Sequence, residues 1–273
     1  MAIVYLADDL RHHRQVALKV LRAELAAEIG NERFLREIRV AAGLHHPHIL
    51  PLYDSGTLEP EPGSTVPPRP FYVMPYVEGE SLRARLGRER RLPPPEAIRI
   101  AREVADAIHY AHRHDVVHRD VKPENILLED DHALVTDFGI ARAVGAAGSD
   151  HLTRTGLLVG TPAYMSPEHI DADEGLDGRS DIYSLACVLF EMLVGEPPYH
   201  GTSLVAVIAN RLRGPTPSVR AAGVTVSDGL DHAIRQALAE APSDRFPTAS
   251  AFSDAIAEAA QSRTQVVASP TFG

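Results

Sequence analysis

The sequence predicts an α+β chain of two lobes: a small antiparallel β-lobe with one helix, then a larger, mostly α-helical lobe. Three observations predict it. The 273 residues exceed what one minimal core needs and suit two packed lobes. Short β-prone runs crowd the stretch before residue 77. Beyond it, apolar residues recur at helical spacing. We place the small lobe and its hinge at 1–77, the large lobe at 78–261 and a flexible tail at 262–273.

Each element has its own signal. Ala2–Ala7 and Gln15–Val20 read as strands, with the polar ADDLRHHR between them as a hairpin turn. Asn31 caps a helix in which Phe34, Leu35, Ile38, Ala41 and Ala42 share a face. Ile49–Tyr53 and Phe71–Val77 read as strands, and the five prolines of EPEPGSTVPPRP make the stretch between them a solvated loop. PPPEAIRIAREVADAIHYAHRHD opens on prolines and repeats Ile98, Ala101, Ala105, Ile108 and Ala111, an amphipathic helix. Ile182–Val194 is apolar nearly all round, which marks a helix buried inside its lobe. Further helices fit Ser203–Arg213, Asp228–Ala239 and Thr248–Ala260, after which the chain loses helical period and is expected to fray.

Composition narrows the function. With 44% hydrophobic residues the chain is not disordered, and the single Cys187 excludes a disulfide scaffold. A net charge of −10 argues against nucleic acid as a partner. Leu185–Val194, the longest nearly apolar run, is too short to span a bilayer and contains Glu191. The N-terminus lacks the pattern of a signal peptide, so a cytoplasmic location is expected of the chain as given, with an anchor beyond its C-terminus left open. Of the 27 basic residues only Lys19 and Lys122 are lysines.

The chemistry is written in VVHRDVKPENILL, residues 116–128. One short loop gathers His118, Arg119, Asp120, Lys122 and Asn125. Its carboxylate, ammonium and carboxamide could together hold a hydroxyl, a phosphate and a metal. The apolar flanks Val116–Val117 and Ile126–Leu128 place it near the core and not among ordinary surface loops. Twelve residues after Asn125 comes Asp137-Phe138-Gly139, a carboxylate at a strand end that suits a hard cation such as Mg²⁺.

On these motifs the chain resembles the protein kinase superfamily, specifically the bacterial serine/threonine protein kinases of eukaryotic type. The resemblance runs from residue 2 to about residue 260 and includes VALK (16–19), HRDVKPEN, DFG and GTPAYMSPE (160–168), in family order. It implies a two-lobed kinase fold and transfer of the ATP γ-phosphate to Ser or Thr of proteins. Lys19 would hold the α- and β-phosphates and pair with Glu37. Asp120 would accept the substrate hydroxyl's proton, Lys122 would neutralise the γ-phosphate, and Asn125 and Asp137 would bind Mg²⁺. The two lysines thus fall where a compact ammonium suits phosphate better than a broad guanidinium. Met74, Pro75 and Val77 would form the hinge side of the adenine pocket, with Val4, Ala17 and Leu127 as its apolar walls. Pro75 replaces a common glutamate but keeps the carbonyl that the contact to adenine uses.

Further roles are implied by the same resemblance. Residues 140–159 look like an activation loop autophosphorylated on Thr153 and Thr155, with Arg119 clamping the phosphate; Ser149 reads as an ordinary loop hydroxyl. Thr161, with Lys122, resembles serine/threonine and not tyrosine kinases. Glu168 would pair with Arg245, and Asp181 would hold the backbone of the HRD loop. Protein substrates and ATP are the implied partners, with a possible homodimer for trans-autophosphorylation. His45, His46 and His48 look like metal ligands but match the family's ordinary loop after the first helix.

The pattern departs from the family at one place. Relatives begin with a strand and a glycine-rich phosphate loop, whereas this sequence starts MAIVY, with Met1 on an internal position of that motif. We favour a chain clipped at an internal methionine over a genuine protein with a weakened lid. Either way, lower stability, weaker ATP affinity and reduced turnover are expected. The alternative class is a pseudokinase that binds nucleotide and signals without phosphoryl transfer, against which the retained Lys19, Glu37, Asp120, Asn125 and Asp137 weigh. A small-molecule kinase of the aminoglycoside type would not be expected to carry VKPEN or GTPAYMSPE.

Overall fold

The computed structural model describes residues 2–22, 31–60, 67–138, 162–171, 176–201, 204–212 and 214–261. Strands β1 (Ala2–Asp9), β2 (Arg14–Leu21), β3 (Asp54–Leu58) and β4 (Arg69–Pro75) form one antiparallel sheet in the order β1-β2-β4-β3. Helix α1 (Asn31–Ala42) packs on it. Phe34 and Ile38, one turn apart, are buried, and the Phe34 ring lies 6.3 Å from that of Tyr72. β4 alternates as a half-buried strand should, with Pro70, Tyr72 and Met74 turned inward. Leu21, Phe34, Ile38, Leu50, Tyr72 and Met74 make this lobe's core.

The second lobe is built on helices. α2 (Leu82–Glu89), α3 (Pro94–His112), α4 (Pro167–Ile170), α5 (Gly178–Val194), α6 (Leu204–Leu212), α7 (Asp228–Ala237) and α8 (Ala249–Gln261) follow in order. Helix α5 is buried from Ser180 to Leu193, starts at the Asp177 cap and stops at Gly195, whose φ of 100° serves a left-handed C-cap. A small antiparallel sheet of β5 (Glu80–Ser81), β6 (Ile126–Glu129) and β7 (His132–Val135) sits on the side of this lobe that meets the first. No described helix is long and apolar enough to cross a membrane.

Three expectations need correction. Ile49–Tyr53 is not a strand of the first sheet, which takes Asp54–Leu58 in its place. The run is apolar because it joins the lobes. Leu50 N–H donates to Val135 O, Val135 N–H donates to His48 O, and Ile49 forms a parallel bridge to Val135. Ile49 belongs to the large core and Leu50 to the small one. The proline-rich loop is shorter than expected, since β4 already starts at Arg69; Pro70 lies beyond β4's last pairing with β2, where no ladder bond is lost. Helix α2 has no counterpart among the expected elements. Its signal is modest: Ser81 Oγ accepts from Ala84 N–H at 3.2 Å, and Leu82 and Leu86 bury one turn apart in an arginine-rich segment.

Candidate active site

The register of the first sheet builds one wall of the site. Val4 faces Lys19, Lys19 faces Tyr72, and Ala17 stands between Leu6 and Met74. Residues directly opposite share a face, so Val4, Leu6, Ala17, Lys19, Tyr72 and Met74 all lie on the same side of the sheet. Ala17, Val77 and Leu127 pack against the core that contains Met74. Pro75 ends β4 half-buried, and Val4 is 55% exposed. Glu37 is buried on α1.

The opposite wall is the loop between α3 and β6. Asp181, fully buried on α5, accepts from His118 N–H and Arg119 N–H at 2.8 Å each and from His112 Nε2 at 2.7 Å. Burial alone would raise its pKa, but the His112 contact and these backbone donors hold it below the usual carboxylate range. His118 Nε2 lies 2.9 Å from Thr136 O, and its Nδ1 accepts from Asp120 N–H at 3.2 Å. These partners require the Nε2–H tautomer. Its ring centroid lies 4.5 Å from that of Phe138, with the two planes tilted by 57°.

Asp120 is bracketed by its neighbours. Lys122 Nζ donates to Oδ2 at 2.7 Å; Asn125 Nδ2 donates to the same oxygen at 3.0 Å and to the Asp120 carbonyl at 2.8 Å. With the amide nitrogen so engaged, the Asn125 carbonyl oxygen is the atom that a hard cation would use. Asp137, just past β7, adopts a φ of 71°. Its Oδ2 accepts from Lys19 Nζ and its Oδ1 from Tyr72 OH. Burial pushes this carboxyl up, but the Lys19 ammonium and then the Tyr72 hydroxyl outweigh it and keep the group ionised below its usual range. Among the described residues no three or more His, Cys, Asp or Glu gather as a metal cage. Mg²⁺ bound with a nucleotide needs none, because it takes one or two protein oxygens and fills its shell from phosphates and water.

Below the loop, Glu168 and Arg245 form a buried pair at 2.7 Å. Thr153, Thr155, Thr161 and Ser149 lie outside the described residues. Sequence reasoning missed two features. Tyr72 read only as part of an apolar strand. Arg83 of α2 bonds Glu124 of the loop at 3.0 Å, the buried Glu191 at 2.8 Å, and the hydroxyl of Tyr164. A carboxylate inside an otherwise apolar helix was the available clue, since a buried charge requires a partner.

A two-lobed fold with an ionic cluster of this kind between its sheets defines a class: the chain belongs to the protein kinase family. The protein kinase domain model matches residues 1–256. Among individual proteins, the chain is 44% identical over 253 residues to the serine/threonine-protein kinase PknB of Mycobacterium leprae, covering 91% of this chain and 39% of that protein. It is 40% identical over 267 residues to PknJ of Mycobacterium tuberculosis, covering 95% and 43%. It therefore spans well under half the length of these curated relatives. The crystal structure of the Mycobacterium tuberculosis PknI kinase domain superposes with a TM-score of 0.72 at 33% identity, covering 96% of this chain and 91% of that one.

Proposed function

We propose that this chain is an ATP- and Mg²⁺-dependent protein serine/threonine kinase, with the lobe boundary at 77/78. The observation that carries the proposal is the bracketing of Asp120 by Lys122 and Asn125, together with the Lys19–Asp137 pair. The names of the relatives support the same activity.

A Ser or Thr hydroxyl oxygen bonds to the γ-phosphorus as the bond from that phosphorus to the β–γ bridging oxygen breaks, releasing ADP. Asp120 receives the hydroxyl proton, and because its Oδ2 is already bonded twice the proton goes to Oδ1. Lys122, short and charged beside Asp120, balances the transferred phosphate. Lys19 turns from Asp137 to the α- and β-phosphates. Asn125 and Asp137 supply the protein oxygens for Mg²⁺, whose contribution is neutralisation of phosphate charge. Catalysis of this kind is mostly positioning and electrostatics, which is what these fixed hydrogen bonds provide. Adenine rests among Val4, Ala17, Met74, Pro75, Val77 and Leu127. Thr153 and Thr155 are autophosphorylated and docked by Arg119, with Thr161 next to the acceptor.

The test is mass-spectrometric phosphosite mapping after incubation with ATP and Mg²⁺, beside Asp120→Asn. Phosphate on Thr153 or Thr155 is expected, falling by about 10²- to 10⁴-fold in rate in the variant. Equal phosphate in both, or none in the wild type at saturating ATP, would reject the assignment.

A further inference from the structure

We infer that Tyr72 is a positioning residue whose hydroxyl fixes the Asp137 carboxylate for metal binding; this rests on the assignment of Asp137 as a metal ligand.

Tyr72 is fully buried among Leu21, Phe34, Ile38, Leu50 and Met74. Those neighbours account for a phenyl ring, but none of them explains a hydroxyl. A buried phenolic O–H is costly unless it finds a partner. Here the partner is Asp137 Oδ1, 65 residues away and the carboxylate of the proposed metal site. The other oxygen, Oδ2, is held by Lys19, which stands directly opposite Tyr72 across the β2–β4 ladder. Two facing positions of one sheet therefore grip the two oxygens of one carboxylate.

The two grips differ in kind. Lys19 is a flexible ammonium with a second task, since a nucleotide's phosphates would draw it away from Oδ2. Tyr72 has a short rigid side chain locked between Phe34 and the sheet, and no competing task. When Lys19 leaves, the Tyr72 hydroxyl remains and keeps Oδ1 in place, so that Oδ2 is presented to the cation in a set direction. Removing a hydrogen-bond partner of this type from behind a ligand typically costs about 10- to 100-fold in metal affinity.

The experiment titrates Mn²⁺ into protein saturated with ADP and reads free Mn²⁺ by its electron paramagnetic resonance signal. Tyr72→Phe retains the ring and removes only the hydroxyl. Its half-saturating Mn²⁺ concentration is expected to rise about tenfold, with metal-free ADP binding unchanged. Phe34→Leu disturbs the ring's packing without touching the hydroxyl and is expected to leave the Mn²⁺ titration where it was. Asp137→Asn is expected to abolish the site. If Asp137→Asn weakens Mn²⁺ but Tyr72→Phe does not, or tightens it, the inference is overturned and the Asp137 assignment stands. If Phe34→Leu matches Tyr72→Phe, packing and not the hydroxyl is responsible, and the inference is again overturned. If Asp137→Asn binds Mn²⁺ normally, the assignment fails and the inference fails with it.

Discussion

Replacing Arg245 by methionine removes a charge whose every donor is in use. Its Nε donates to Ala239 O at 2.8 Å; Nη1 donates to Glu168 Oε1 at 2.7 Å and Arg179 O at 3.2 Å; Nη2 donates to Glu168 Oε2 and Glu240 O at 2.8 Å each. The guanidinium also lies 4.9 Å from the Tyr183 ring centroid. Its side chain is 0% exposed and that of Glu168 12% exposed. Methionine fills much of the volume but leaves Glu168 ionised, largely buried and held by Ser180 Oγ at 2.7 Å and its own backbone N–H, with no cation beside it among the described residues. Breaking a buried pair from one side costs about 3–5 kcal/mol. Against a typical total of about 5–15 kcal/mol this is a large share, equivalent to a fall in Tm of roughly 5–9 °C in a chain of this size.

Urea unfolding followed by far-ultraviolet circular dichroism measures it. The reasoning makes a sharper claim than a loss of stability, because most of the penalty belongs to the stranded carboxylate. The double variant Glu168→Gln with Arg245→Met should therefore be more stable than Arg245→Met alone, by about 1–3 kcal/mol. A double variant no better than the single one, or an Arg245→Met cost under about 1 kcal/mol, would refute the account.

Two other perturbations test neighbouring contacts. Glu168 has its carboxyl pKa lowered to about 2, because the Arg245 and Ser180 hydrogen bonds outweigh the upward push of burial. A depressed carboxyl stabilises the fold above its unfolded pKa near 4.5 and loses that contribution as pH falls from there towards 2. Urea midpoints measured from neutral pH down through this window should fall more steeply for the wild type than for Glu168→Gln, and parallel curves would count against the pair. Gly178 sits at the start of α5, where an added Cβ would come within 2.4 Å of His112 Nδ1. Gly178→Ala should displace the imidazole that bonds Asp181 and cost about 1–3 kcal/mol, so an unchanged urea midpoint would show that the ring can give way freely.

The parts of the molecule that could be read from sequence are those whose signals are local. β4 and α3 carry their periods in adjacent residues, and the loop from His118 to Asn125 makes its own hydrogen bonds within eight residues, so its chemistry is contiguous in the chain. Ile49–Tyr53 was misread because burial between two lobes and burial in a sheet leave the same apolar trace. Lys19 and Asp137 are 118 residues apart and nothing in their spacing joins them; only the family resemblance places them together. Tyr72 was invisible for a different reason. On an alternating strand a tyrosine is an ordinary core residue, and only its partner across the fold reveals what the hydroxyl is for.

Left-handed backbone occurs at six described non-glycine residues, His13, Arg90, Asp115, Arg119, Asp130 and Asp137, and two of them belong to the site. Arg119 and Asp137 both adopt left-handed φ values, 68° and 71°, which L-residues reach only at some cost. Each lies in the loop chemistry and not in a helix or strand, and each is countered by a group from a different element. The backbone N–H of Arg119 is tied to Asp181 on the buried helix α5, and the side chain of Asp137 is tied to Lys19 and Tyr72 on the first sheet. One lobe thus fixes the residue beside Asp120, and the other fixes the carboxylate proposed to bind metal. Within the large lobe these two groups are joined directly, because His118 Nε2 bonds Thr136 O and Thr136 N–H donates to Asn125 O; what the seam at residues 48–50, bonded to β7, sets is how Lys19 and Tyr72 of the first sheet meet Asp137. A substitution that loosens this seam, such as one at Ile49 or Val135, acts on the alignment of the two halves of the site without touching either half.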